Sequence, residues 1–240
     1  MLQAMSSQQP AVAGASRRPD VAGAPSPTID EIVLADEPQR WAALGFSVLG
    51  DRLQLGSVRL RLAGAGAGAG QGIVGWSLRA LSGGELDGLV TTASQSARPD
   101  PAPAHANGIA AIDHIVAMTP DLDRSVRALQ GAGLSLRRIR EQPTPAGAPR
   151  QAFFRLGEEI LEVVQEPQQV VAEHGGADRP ARLWGLALLA PDLDRTVAAL
   201  SPHAGAVRDA VQPGRRIATI KRSAGLAVPV ALMSAKPTTV

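Results

Sequence analysis

The chain has no cysteine and no tyrosine, and only four histidines. Disulfides, thiolate metal sites and cysteine nucleophiles are therefore excluded, and any chemistry must come from imidazole, carboxylate or guanidinium groups. Two of these groups stand inside short apolar runs. His114 lies in Ile112-Asp113-His114-Ile115-Val116, and Glu162 in Ile160-Leu161-Glu162-Val163-Val164. With a period of two, His114 shares a strand face with Ile112 and Val116, and Glu162 with Ile160 and Val164, leaving Ile115, Leu161 and Val163 to pack against a helix. A neutral imidazole and a carboxylate suit a borderline divalent ion such as Zn, Fe, Mn or Ni, and equally suit a metal-free, hydrogen-bonded pair lining a ligand cleft. The other histidines fall in poorer settings: His105 in a Pro-rich stretch, His174 before Gly175-Gly176, and His203 after Pro202.

Arginines supply a second candidate chemistry. Arg150 and Arg215 stand at the starts of two strand-like runs, where a guanidinium can clamp a carboxylate or phosphate; the competing reading is a solvated turn residue. Aromatic residues make up only 2% of the chain, so Phe153 and Trp184 are among the few side chains able to supply aromatic contacts to a bound small molecule.

Positioning these groups requires a repeated element. Ile112 to Arg124 matches Leu183 to Arg195, and Pro-Asp-Leu-Asp-Arg recurs unchanged at Pro120 and Pro191. A weaker copy opens at Ile29-Asp30-Glu31-Ile32-Val33, with Glu31 in place of His114. Each copy begins with a strand by residue type and continues into a helix. In the second copy Thr119 is the expected cap, with Pro120 at the first helical position and Leu122, Val126 and Leu129 on one apolar face. Strand-like runs follow at 134–139, 151–156 and 159–164 in the second copy, and at 206–211, 216–221 and 228–234 in the third. In the first they are 46–48, 53–62 and 73–81. All three read β-α-β-β-β.

Composition divides the chain. Residues 1–27, rich in Ala, Ser, Pro and Gln, are expected to form a disordered leader, because no apolar stretch follows Arg17-Arg18. A divergent module is expected at 28–92, a Pro- and Ala-rich linker at 93–108, and a domain of two modules at 109–240, about 109–167 and 181–235. The Gly-Ala tract at 64–70 joins two strand patterns with no amphipathic helix after it, so it reads as a hairpin loop instead of a phosphate cradle. No apolar run approaches the roughly 20 residues of a membrane span. The pI of 9.9 accompanies a formal net charge of only +2, since almost nothing titrates between imidazole and guanidinium. Acidic residues alternate with the basic ones, which argues against a nucleic-acid surface.

The Ile-Asp-His-Ile-Val opening, the Pro-Asp-Leu-Asp helix start and the ending Ala152-Phe-Phe-Arg-Leu-Gly with Ile160-Leu-Glu-Val-Val164 together resemble the module of the vicinal-oxygen-chelate superfamily, which includes glyoxalase-like and bleomycin-resistance-like proteins. The likeness implies an α+β fold in which repeated βαβββ modules form curved mixed sheets around a cleft. It also implies that first and fourth strands carry metal ligands, which falls on His114 and Glu162. The third copy presents Gly185 and Ala231 at those places, and neither can coordinate. Glu31 would complete a three-ligand set if the first module faced the second.

Two functions follow from the resemblance. One is a metal-dependent lyase or isomerase acting on a small oxygen-rich substrate, with Glu162 as ligand and proton acceptor, and Arg150, Phe153, Trp184 and Arg215 as substrate contacts. The other is a binding or sequestering protein that uses no metal. Either implies a small-molecule ligand and no nucleic-acid or membrane partner. The absence of cysteine suits the cytoplasm, and the unpaired first module would find its counterpart in a homodimer.

Overall fold

A computed structural model describes residues 26–67, 72–144 and 147–236. Most of the expected leader, and residues 68–71 of the Gly-Ala tract, lie outside them. Residues 28–94 build one sheet. Strand β1 (Thr28–Leu34) leads into helix α1 (Pro38–Ala43), followed by β2 (Arg52–Leu55), β3 (Val58–Leu62), β4 (Ile73–Arg79) and β5 (Thr91–Ser94), in the order β2-β3-β1-β4-β5. The run 53–62, read from sequence as one strand, is a hairpin that turns at Gly56, whose φ of +59° suits a residue without a side chain.

Residues 111–233 build an eight-stranded sheet. Strand β6 (Ala111–Thr119), α2 (Leu122–Gly131), β7 (Ser135–Arg140), β8 (Gln151–Leu156) and β9 (Glu159–Gln165) form one βαβββ unit. After α3 (Gln168–Glu173), β10 (Arg182–Leu189), α4 (Leu193–Ala199), β11 (Arg208–Asp209), β12 (Arg216–Thr219) and β13 (Val230–Met233) form another. The order β11-β12-β13-β10-β6-β9-β8-β7 joins the units edge to edge through antiparallel β6 and β10. The fold class expected from the sequence is the one observed.

The repeated Pro-Asp-Leu-Asp-Arg has a local explanation. Asp121 and Asp192 are the N-caps of α2 and α4, accepting hydrogen bonds from the backbone N–H groups of Arg124 (2.9 Å) and Arg195 (3.1 Å). Helix α2 therefore starts two residues later than expected. Thr119 instead accepts from the Asp121 N–H at 3.1 Å and shapes the turn before it. Leu122, Val126 and Leu129 are buried as their spacing requires.

The two sheets share one plan. Strands β1 and β6 each run parallel to the last strand of their own unit and antiparallel to the first strand of the next. Glu31 stands opposite Arg59 and Ser77, as His114 stands opposite Ile160 and Ala187. Val33 stands opposite Arg61 and Gly75, as Val116 stands opposite Glu162 and Gly185. Both first strands bulge at the same place, skipping Asp30 and Asp113 in the ladder. Strand β4 is thus the counterpart of β10, and β5, parallel to it, the counterpart of β13. The run 73–81 belongs to this second half of the sheet and is not the fourth strand of the first module; that role falls to β3. Within the chain, β4 covers the edge of β1 that faces away from β3.

Candidate functional site

The bulge at Asp113 decides which groups face the cleft. In a regular strand neighbouring side chains point to opposite faces. Here the consecutive residues Asp113 and His114 both line the same cavity, while Ile115 is buried in the core together with Ile112, which also reaches the cavity wall. The expected sharing of one face by Ile112 and His114 is therefore broken, although His114 itself points as predicted. On β9 the alternation is intact around Glu162, with Leu161 and Val163 buried on the helix side.

These groups form a continuous polar chain. Arg215 donates to both oxygens of Asp113, at 2.7 and 3.1 Å, and to the carbonyl of Ser234 at 2.6 and 3.0 Å. Asp113 Oδ2 lies 2.8 Å from His114 Nδ1, and His114 Nε2 lies 3.3 Å from Glu162 Oε2. Gln151 donates to the other Glu162 oxygen. Burial works against ionisation of Asp113, but the hydrogen bonds from His114 and Arg215 outweigh it and hold this carboxyl well below the ordinary carboxylate range. Burial dominates at Glu162 and pushes its carboxyl up, opposed by the charge of His114 and the hydrogen bond from Gln151. Two carboxylates on either side of one imidazole are thus driven in opposite directions.

His114 sits where three compartments of the cleft meet. One, of about 770 Å³, runs past Asp113, Glu162 and Arg215; a second, of about 480 Å³, lies under Arg138, Arg140 and Gln151; a third, of about 550 Å³, is walled by Trp184, Leu226 and Val230. These volumes suit a small molecule.

Of the residues singled out from sequence, His114 and Glu162 come together, and Phe153 and Trp184 line the cleft near them. Arg215 reaches the site with only 5% exposure, and its guanidinium is committed to Asp113 and Ser234. Arg150 does not line the cleft: it is drawn away by Asp123 at 3.0 Å and Glu141 at 2.7 Å. Nor is Glu31 brought to His114. It lies in the five-stranded sheet, paired with Arg61 at 3.3 Å and Arg52 at 3.8 Å. His105 is structural, accepting from the Ser47 N–H at 3.0 Å with its other nitrogen 2.9 Å from the Gln54 carbonyl. Asp113 and Gln151 were missed. The signal for Asp113 was present, since Asp precedes the variable position in both Ile-Asp-X-Ile-Val copies.

Among the described residues no three His, Asp or Glu side chains are gathered so as to hold a metal ion. Register explains part of this. Gly185 and Ala231 occupy the positions of His114 and Glu162 in the neighbouring unit, and a Cβ on Gly185 would lie 3.0 Å from the Pro229 carbonyl oxygen. A side chain there would crowd the backbone of the next strand. The site offers two donors, and a protein-held divalent centre with three ligands does not fit it.

No protein-family model matches the chain, and no curated protein matches it. Solved structures do. A xylose isomerase-like TIM barrel/4-hydroxyphenylpyruvate dioxygenase fusion protein is 14% identical and superposes with a TM-score of 0.59, over 93% of this chain and 52% of the fusion protein. Methylmalonyl-CoA epimerase from Mycobacterium tuberculosis is 16% identical over 55% of this chain and 92% of its own, with a TM-score of 0.46. At such identities the shared property is the fold. With its repeated strand registers and the superposition on nearly its whole length, the chain has an α+β fold of repeated βαβββ units, the fold implied by the resemblance of its sequence modules.

Proposed function

We propose that the cleft of the eight-stranded sheet binds an oxygen-rich small molecule without a protein-held metal, and that His114 and Glu162 are its polar anchor. The observation that carries this reading is the neighbouring unit, where Gly185 is packed against the Pro229 carbonyl and Ala231 stands in the place of Glu162, so that half of a symmetric ligand set has no side chain able to coordinate. The remaining pair is satisfied from within the protein: Asp113 and Glu162 flank the imidazole, and Gln151 takes the second Glu162 oxygen. A ligand oxygen entering the cleft meets a fixed row of donors and acceptors, which gives orientation at small entropic cost. The reading extends to a protein of the cytoplasm, supported by the absence of cysteine. No helix among the described residues is long and apolar enough to cross a membrane.

A second reading, a metal-dependent lyase or isomerase, is favoured by one feature. The Asp113–His114 contact is the arrangement that orients an imidazole whose other nitrogen binds a divalent ion. Elemental analysis of the purified protein separates the two, in wild type and in His114→Ala and Glu162→Ala. Sub-stoichiometric metal in all three, with no thermal stabilisation by Zn, Mn, Ni or anaerobic Fe(II), is expected. Stoichiometric transition metal lost in both variants would overturn the metal-free reading. A homodimer is retained as the proposed assembly, to be checked by sedimentation.

A further inference from the structure

The ends of the cleft are chemically unlike, and the difference specifies a class of ligand. At one end edge strand β7 brings Arg138 and Arg140 over the second compartment, and both act electrostatically on Glu162. Among the described residues neither forms an ion pair, whereas Arg124, Arg150 and Arg215 each do. Arg138 is nevertheless held in place, its guanidinium carbon 4.6 Å from the centroid of the Phe153 ring. The nearest carboxyl, Glu162, is engaged by Gln151 and His114 instead of by either arginine. Two guanidinium groups with no carboxylate paired to them, one of them fixed on an aromatic ring, can receive an anionic head group.

The other end is mainly apolar, with Thr219, Lys221 and Arg222 among its lining residues. Val116, Trp184, Leu226, Val228 and Val230 wall the third compartment, and Trp184 remains 41% exposed there, a large apolar side chain with a face left uncovered. His114 lines both compartments, so a molecule filling them passes directly over the polar pair.

We infer that the ligand is an amphipathic carboxylic acid, its head group held by Arg138 and Arg140 and its alkyl or aryl body laid along Trp184, Leu226 and Val230. This inference rests on the small-molecule reading above and adds the ligand's charge and shape. Charge complementarity selects an acid over an alcohol or amine of the same chain length, and buried apolar area selects the longer acid. By the transfer free energy of a methylene, each two added carbons tighten binding about tenfold until the compartment is full.

Trp184 provides the readout, since Trp41 and Trp76 are buried at 0% and 2% exposure. Octanoate, octanol and octylamine are titrated into the full chain by tryptophan fluorescence and, in parallel, by calorimetry, the latter also in Trp184→Phe. Wild type is expected to bind octanoate more tightly than octanol and not to bind octylamine. Arg138→Gln with Arg140→Gln, on an exposed edge strand where folding is preserved and verified by circular dichroism, is expected to weaken octanoate at least tenfold and leave octanol unchanged. Equal affinities for octanoate and octanol, insensitive to the double substitution, would overturn the acid assignment while leaving a small-molecule cleft. Absence of binding by all three probes in wild type, by both methods, would overturn this inference together with the reading beneath it.

Discussion

The five-stranded and eight-stranded sheets place a polar pair at the same two register positions and put it to different uses. In the larger sheet the pair is His114 and Glu162, 3.3 Å apart, in a cleft and tied to Asp113 and Gln151. In the smaller sheet it is Glu31 and Arg61, also 3.3 Å apart, with Arg52 nearby. Even the packing of the second half repeats, since a Cβ on Gly75 would lie 3.0 Å from the Val90 carbonyl, as one on Gly185 would from Pro229. What separates the two is the extent of the sheet. The eight-stranded sheet has a helix and three further strands in each half. The second half of the smaller sheet keeps only β4 and β5, joined by residues 80–90, which pack onto α2 through Asp87 and Arg124 at 2.7 Å. A register can therefore be kept while the cleft that gives it a purpose is dropped, leaving an ordinary ion pair.

The strongest way to break the comparison is to attack the bulge residue that both sheets share. Asp30 is 4% exposed and accepts from Arg59 and Arg79, with Ser94 at 2.5 Å. Asp30→Ala leaves two partly buried guanidinium groups without a counter-charge and is expected to cost about 3–5 kcal/mol by urea denaturation. Asp113→Ala likewise strips the carboxylate from Arg215, which is 5% exposed, and is expected to cost a comparable amount.

Next in size is an effect that should appear only in the larger sheet. The depressed carboxyl of Asp113 contributes stability above its unfolded-state value, and that contribution is lost as pH falls toward its folded value. Glu162 has the opposite sign: its raised carboxyl contributes below the unfolded-state value, and the contribution is lost as pH rises through the folded one. In unfolding titrations from acidic to neutral pH, Asp113→Asn should flatten the acid limb and Glu162→Gln the loss on rising pH. Identical profiles in the two variants would show that the environments do not differ as described.

A smaller effect is expected at Glu31→Gln, which removes a partly exposed ion pair worth about 0–1 kcal/mol and should leave ligand binding in the cleft unchanged. Smallest is Arg150→Ala, which breaks contacts to the exposed Asp123 and Glu141 and should cost no more than about 0.5 kcal/mol by the same measurement, with ligand affinity intact.

Much of this was legible because a repeat carries its own control. The Pro-Asp-Leu-Asp-Arg motif marked two helix starts, and the period of β9 put Glu162 opposite the core. The half-unit β4–β5 was missed because the identifying features of a full unit, a helix and two further strands, are not present between its two strands. Arg150 and Arg215 look alike in sequence, each beginning a strand. What drew one away from the cleft and the other to 5% exposure was the position of acidic partners outside their own strands, on α2 and at 141 for Arg150 and on β6 for Arg215. Ile112 was assigned to the wrong face because a bulge has no residue signature of its own.

That bulge sets what changes the first strand can absorb. Because Asp113 is an extra residue in the ladder, substituting it alters charge but leaves the pleat on either side in phase. Removing it would restore strict alternation and leave Ile112 in the core and His114 in the cleft, because the two already face opposite ways. The register of the strand therefore does not depend on this residue, and what a deletion at 113 would take away is the carboxylate that joins His114 to Arg215. The extra residue is a means of setting two polar groups side by side on one face, which a regular strand cannot do.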